Sequence, residues 1–235
     1  MKNIFNLLRE NPYPGRGIIV GCSEDGNRMI TLYFIMGRSE NSRNRIFVKT
    51  DDGIRTKAFD PSKLTDPSLI IYAPVRTFDN HIIITNGDQT DTVYDFLSGG
   101  LDFRSALLRR RYEPDVPNYT PRISALVKPD YTYSFSILKK AHTGSECCLR
   151  SFFEYSDIVP GLGHFISTYE KDGDPLPSFT GEPIPVNIDV SDGFENFANE
   201  IWNALNEDNK VSLYARETHT DIYKTNEIII NKHHS

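Results

Sequence analysis

The amino-acid sequence predicts an α+β fold, with antiparallel sheets packed face to face and helices on the outside. Apolar runs of strand length come in blocks instead of alternating with helices, which excludes the regular repetition of a doubly wound parallel sheet. Helical periodicity is confined to a short N-terminal stretch, a central pair and one late segment, which excludes an all-β sandwich. The 235 residues are enough for one substantial core, so one domain is expected.

Ile4, Phe5, Leu7 and Leu8 suggest a short helix stopped by Pro12 and Pro14. Ile18-Ile19-Val20 and Met29 to Met36 follow as strands, then Ile46-Phe47-Val48 and Arg55 to Phe59 around an Asp51-Asp52-Gly53 turn. Ser68 to Val75 and His81 to Thr85 predict two more strands, with Phe78-Asp79-Asn80 as a tight turn between them. Thr90 is placed to cap a helix through Leu97 that Gly99-Gly100 ends. Asp102 caps a second helix carrying Phe103, Ala106 and Leu107, with Arg109, Arg110 and Arg111 in its last turn. Strands return at Arg122 to Val127, Tyr131 to Leu138, Cys147 to Tyr155 and Gly163 to Tyr169. An irregular Pro/Gly-rich stretch, 171–185, separates them from a helix opened by a capping box of Asp192 and Glu195. Val211 to Ala215 and Asp221 to Ile230 close the chain.

Composition narrows the function. A net charge of −6 argues against a general nucleic-acid binder, while leaving room for local cationic pockets. No segment approaches the roughly 20 apolar residues of a membrane span. The N-terminus also lacks the long apolar region of a secretory signal. The three cysteines, Cys22, Cys147 and Cys148, are odd in number and lack metal-ligand spacing. The histidines are scattered, with His233-His234 near the end, so no metal site is expected and a reducing, cytoplasmic setting is.

Four polar constellations carry chemical potential. Between two strands, Gly37 to Arg45 holds three arginines (Arg38, Arg43 and Arg45), too long and too cationic for an ordinary hairpin loop. The loop is either a solvated surface loop or an anion site, since planar guanidinium groups bind phosphate or carboxylate in two-pronged fashion. Tyr72 lies inside an apolar run, where its hydroxyl needs a partner; it is either ordinary core or a proton donor. Asn86-Gly87-Asp88-Gln89-Thr90-Asp91-Thr92 joins a strand to a helix start, a place where backbone N–H groups can face an anion, although capping alone also accounts for Thr90 and Asp91. Glu113 follows Arg109 to Tyr112 at a helix C-terminus, against the dipole, and is therefore solvated, paired with arginine, or a pocketed base.

Taken in order, these segments resemble the archaeal-type IMP cyclohydrolases. The resemblance rests on Gly15-Arg16-x-Ile18, the Arg38-Ser39 to Asn44-Arg45 loop, Ile71-Tyr72, Asn86-Gly87-x-Gln89-Thr90-Asp91-Thr92, Tyr112-Glu113, Thr120-Pro121-Arg122-Ile123 and Ile166-Ser167-Thr168-Tyr169-Glu170. It implies a four-layer αββα sandwich of two mainly antiparallel sheets, like that of N-terminal-nucleophile hydrolases. It also implies closure of a formamidoimidazole carboxamide ribonucleotide to inosine monophosphate, with no cofactor. The substrate is then a small purine ribonucleotide, with no nucleic-acid or membrane partner, and a homo-oligomer is an admissible state. Arg45, Tyr72 and Glu113 are implied as oxyanion-side donor, acid and base. Arg38, Arg43 and Arg122 are candidates for the phosphate, and Asn86, Gln89, Thr90 and Asp91 for other substrate contacts. Residues 1–14 form an extension ahead of a single domain, 15–235. Gln89 stands where a histidine is expected in archaeal members, and the Arg38 to Arg45 spacing is longer, which leaves the roles of Arg43 and Arg45 interchangeable. The rival readings are an amidohydrolase with an N-terminal nucleophile, which would need a Ser, Thr or Cys where Gly15-Arg16-Gly17 stands, and a purine-nucleotide-binding protein without turnover.

Overall fold

A computed structural model describes residues 1–64, 67, 69–142 and 146–233. In chain order the elements are α1 (Ile4–Glu10), β1 (Arg16–Cys22), β2 (Arg28–Met36), α2 (Glu40–Arg43), β3 (Arg45–Thr50), β4 (Gly53–Ala58), β5 (Val75–Phe78), β6 (His81–Thr85), α3 (Gln89–Ser98) and α4 (Phe103–Leu108). They continue as β7 (Arg122–Val127), β8 (Tyr133–Lys140), β9 (Cys148–Tyr155), β10 (Leu162–Ser167), β11 (Ile184–Asn187), α5 (Phe194–Ala204), β12 (Lys210–His219) and β13 (Thr225–Asn231). One sheet runs β11-β10-β1-β2-β12-β13 and the other β3-β4-β5-β6-β7-β8-β9, with every ladder antiparallel.

Alternation along the strands builds the layers. On β2, Met29, Tyr33 and Ile35 enter the core between the sheets, while Ile30, Leu32, Phe34 and Met36 pack outward beneath α1 and α5. On β6, Ile82 and Ile84 face the inter-sheet core and Ile83 faces α3 and α4. Both sheets are thus apolar on both faces, which is why these runs read as continuous hydrophobic stretches. The order is helix, sheet, sheet, helix, as expected. Each fully buried Ile, Leu or Phe contributes about 1.5–3 kcal/mol to holding the sheets together. In α5, Phe194, Phe197, Ala198, Ile201 and Ala204 form the buried stripe. Asn3 caps α1, whose Ile4 and Leu8 join the same core, so residues 1–14 pack as part of the outer layer.

Several local expectations are corrected. Residues 69–74 do not form a strand; the ladder starts at Val75, and Phe78 belongs to β5, so that the turn is Asp79-Asn80 alone, both with positive φ. Ser68, where that strand was expected to begin, lies outside the described residues, as does His234. The cause is Thr56. Its backbone N–H donates to Tyr72 O (2.9 Å), and its hydroxyl donates to Ile70 O (2.8 Å) and accepts from Tyr72 N (2.8 Å), which holds the chain out of register. The loop after Gly37 folds into a one-turn helix, α2, through a reciprocal box between Ser39 and Ser42. Helix α3 starts at Gln89 after Asp88, so Thr90 is internal to it and bonds back to Thr85 and Gly87. Helix α4 ends at Leu108, leaving Arg109 as its cap and Arg110 and Arg111 beyond it. Gly193, at φ 102°, precedes α5 without a side-chain cap, in place of the expected Asp192 box.

Thr56→Val, which keeps the shape and removes the hydroxyl, is expected to cost about 1–3 kcal/mol by leaving the Ile70–Tyr72 backbone groups unpaired. Urea denaturation with an unchanged m-value checks this.

Candidate active site

At one end of the sandwich, the starts of β1 and β3 and the irregular stretch before β5 converge. Gly15 makes the approach feasible. Its φ is +77°, and a Cβ there would lie 2.3 Å from Thr168 Oγ1 and against the Tyr169 ring. The next residue, Arg16, donates its backbone N–H to Thr168 Oγ1 (3.1 Å) and turns its side chain inward, 9% exposed. Its Nη2 stands 3.8 Å from Glu113 Oε2. Glu113 is held by a backbone bond from its N–H to Thr120 O (2.9 Å) and is 1% exposed. Arg45, the first residue of β3, is 1% exposed and donates from Nε to Ser42 O (2.8 Å), so the Ser39-capped turn aims it. Tyr33 and Tyr72 share a hydrogen bond between their hydroxyls at 2.8 Å.

These groups control one another. Burial pushes the Glu113 carboxyl above its usual range, while Arg16, Arg122 and Arg45 pull the other way. Burial, reinforced by Arg16, lowers the Arg45 guanidinium, and Tyr72, Tyr33 and Tyr13 oppose that shift. Burial also disfavours the charged form of Arg16, but Glu113, Tyr169, Tyr72 and Tyr33 outweigh it and hold Arg16 firmly protonated. Burial drives the Tyr33 phenol strongly upward, and the Tyr169 phenol up to about 12. The centre therefore holds two buried arginines, one reluctant carboxylate and a pair of phenols. Arg16 Nε, Arg45 Nη1, Glu113 Oε1 and Arg122 Nε are buried with no hydrogen-bond partner among the described residues.

Above this centre lies a cleft of about 330 Å³, lined among others by Tyr13, Arg16, Arg38, Glu113, Thr120 and Tyr169. At its mouth, Arg38 donates to Asp172 Oδ1 (2.8 Å) and Gly173 O (3.0 Å) and lies over the Tyr13 ring. Ser39, Asn41 and Ser42 of the turn complete that rim.

Arg45, Tyr72 and Glu113 thus come together around Arg16, and Arg38 reaches the cleft. The other substrate-contact candidates fare differently. Arg43 points away, its guanidinium committed to Gly37 O (2.8 Å) and Asn209 Oδ1 (3.1 Å). Arg122 sits behind the cleft lining, donating to Gln89 Oε1 (2.5 Å) and Asp88 Oδ1 (2.7 Å). Gln89 in turn donates to Asn86 Oδ1 (2.9 Å), which itself receives Ile123 N (2.9 Å). Asn86, Gln89 and Arg122 therefore form a buried bracket behind Glu113. Thr90 is spent on Thr85 and Gly87, and Asp91 is spent on Arg76 at the surface. Gly87 belongs to the bracket, since a Cβ there would lie 2.5 Å from Arg122 Nη1 and 3.4 Å from Glu113 Oε1. Arg16 and Tyr33 were missed as site residues. Their signal was an arginine and a tyrosine at inward positions of otherwise apolar strands.

Fold and site together define an enzyme acting on a small molecule, with acid–base and cationic groups converging in one cleft. The chain matches the model of a family described as IMP cyclohydrolase-like protein over residues 13–222, and it belongs to that family. It is 33% identical to the IMP cyclohydrolase of Methanopyrus kandleri over 183 residues, covering 71% of this chain and 89% of that one. Over 169 residues it is 32% identical to the IMP cyclohydrolase of Methanothrix thermoacetophila, covering 68% and 76%. Its identity to that of Methanococcus maripaludis strain C7 is 34% over 165 residues, covering 67% and 75%. Among the described residues, no helix is long and apolar enough to cross a membrane.

Glutamate-selective carbon-13 NMR is expected to show Glu113 titrating above 4.5, the unperturbed value. In Arg16→Met the midpoint should rise further, because the carboxylate loses the cation that favours it.

Proposed function

We propose that the protein closes 5-formamidoimidazole-4-carboxamide ribonucleotide to IMP with loss of one water, in the final step of purine synthesis. What carries the reading is the set of three buried polar atoms without hydrogen-bond partners among the described residues, on Arg16, Arg45 and Glu113, gathered around one acid–base centre. Leaving such groups unmet costs about 1–3 kcal/mol each, so their persistence is accounted for by a polar ligand that completes them.

The reaction joins two ends of one molecule, so holding the reacting atoms in line does much of the work. The carboxamide nitrogen bonds to the formyl carbon, and the carbonyl pair moves onto the oxygen. Arg45 stabilises that oxygen and the Tyr72 phenol protonates it, with the Tyr33 hydroxyl fixing the phenol's direction. The carboxamide proton passes to Glu113, whose raised affinity for protons suits it to take one from a weakly acidic amide. In the second stage the hydroxyl leaves as water with the proton from Glu113. The formamido N–H returns a proton to the phenolate, and the ring C=N forms. Arg16 keeps Glu113 ionised between turnovers. Arg38, exposed at the rim, takes the ribose 5'-phosphate by exchanging Asp172 for it. Neither Arg43 nor Arg122 is left for that role.

The same reading makes residues 1–14 an N-terminal extension, with the single catalytic domain at 15–235. It places the enzyme in the cytoplasm, in keeping with its odd, unspaced cysteines, and needs no cofactor. An N-terminal-nucleophile amidohydrolase is disfavoured by Gly15-Arg16-Gly17 at the start of β1. Cys22 is buried at the far end of that strand, and burial raises its thiol.

Pure protein is expected to convert the formylated ribonucleotide to IMP, followed by absorbance or chromatography; product forming no faster than without protein overturns the reading. Tyr72→Phe and Glu113→Gln are expected to lower kcat by about 10²–10⁴-fold with circular dichroism unchanged. Arg38→Ala should raise KM, with a smaller effect on kcat, and should lose that effect on a substrate analogue lacking the phosphate.

A further inference from the structure

Four strands end the two sheets, and two of those edges are engaged by other segments. At β3, Asn231 inserts its side-chain amide, accepting from Phe47 N (2.8 Å) and donating to Phe47 O (3.0 Å). Strand β11 has four residues and is bridged by Lys2, which donates to Pro185 O (2.9 Å) and accepts from Asn187 N (3.1 Å). The one charged side chain of β13, Glu227, is engaged by Lys49, Arg216 and Tyr214. Strand β9 is set apart by its charge pattern, since β13 too pairs with a single neighbour, β12, among the described residues. Strand β9 has eight residues, and among the described residues it pairs with β8 alone. A long, uncovered edge is a template for another strand.

The sequence of that edge, Cys148-Leu149-Arg150-Ser151-Phe152-Phe153-Glu154-Tyr155, is complementary to itself. When two copies run antiparallel with Phe152 on the two-fold axis, Arg150 of each lies opposite Glu154 of the other. Leu149 lies opposite Tyr155, and Ser151 opposite Phe153. Both attractive pairs form at once, as a two-fold interface requires. Arg150 and Glu154 are exposed. Among the described residues, Arg150 donates to Arg110 O (3.0 Å) and Glu154 forms no ion pair. The apolar side chains alternate suitably. Phe152 packs toward the α3–α4 layer, while Phe153 and Tyr155 face the inter-sheet core, so both faces of the joined sheet carry aromatic cover across the axis. Leu149, 46% exposed, gains a neighbour in this register.

We propose that the chain dimerises by edge-to-edge pairing of β9 with a second copy, joining two seven-stranded sheets into one. The dyad runs through Phe152, and the Arg150–Glu154 pairs fix the register. This inference does not depend on the reaction assigned above.

Sedimentation velocity on the full chain tests it. The wild type is expected to run as a dimer at micromolar concentration. Arg150→Glu and Glu154→Arg should each weaken the dimer by about ten-fold or more, as two like-charge pairs replace two attractive ones. The double variant carrying both reversals should restore it, since the charges again oppose. A wild type that stays monomeric to its solubility limit overturns the proposal. So does a dimer indifferent to the single reversals, or a double variant that stays dissociated while folded. Should a single reversal lower Tm, hydrogen exchange on the wild type decides: β9 amides must lose protection on dilution, and protection independent of concentration overturns the pairing.

Discussion

The burial of charge between two apolar sheets is the constraint on which this molecule turns. Arg16, Arg45 and Glu113 sit where the sandwich would otherwise continue as Ile and Val, and taking such groups out of water is costly unless they compensate one another. Their surroundings show the compensation. Glu113 steadies Arg16, the phenols of Tyr33 and Tyr72 support both arginines, and the Asn86–Gln89–Arg122 bracket walls off the rear. Compensation is incomplete at the atoms facing the cleft, and that residual demand is what a substrate with a carboxamide, a formyl group and a phosphate can meet. Fold stability is thereby traded for a preorganised site.

Preorganisation also explains the irregular path of residues 69–74. A regular strand there would have carried Tyr72 along the ladder and fixed its side chain by pleat alone. Thr56 takes up the backbone groups that the ladder would have used, and the Tyr72 hydroxyl is free to meet Tyr33 across the inter-sheet space. Tyr33 of β2 and Tyr72 of the irregular stretch before β5 are thereby joined by one hydrogen bond. The Tyr72 hydroxyl is thus held in place by the fold.

The layers were legible in the sequence because β2, β6 and β7 bury both faces, and helices with one apolar stripe can only cover such sheets. That Arg45, Tyr72 and Glu113 belong near one another was suggested by the family resemblance, and the structure brings the three together around Arg16. What stayed hidden depended on side-chain bonds between distant segments. No local propensity reveals that Thr56 would stop a strand sixteen residues away, or that Ser42 would turn the arginine loop into a helix. Nor could spacing tell which arginine is spent on structure. Arg43 and Arg45 are two residues apart, yet one is consumed by Asn209 and Gly37 and the other is buried in the centre. Capping chemistry likewise suggested roles for Thr90 and Asp192 that backbone geometry assigned to Asp88 and Gly193.

Arg38 and Asp172 are each more than a third exposed, whereas the Arg16–Glu113 pair is almost wholly enclosed. Mobile ions in solution screen the first pair and barely reach the second. Rim and interior therefore live in different electrostatic media. Charge at the rim answers to bulk water and its salts, while charge in the interior is set by the protein's own dipoles. The two pairs are accordingly open to separate evolutionary adjustment: the charges at the mouth can adapt to a saltier or more dilute medium without disturbing those at the floor.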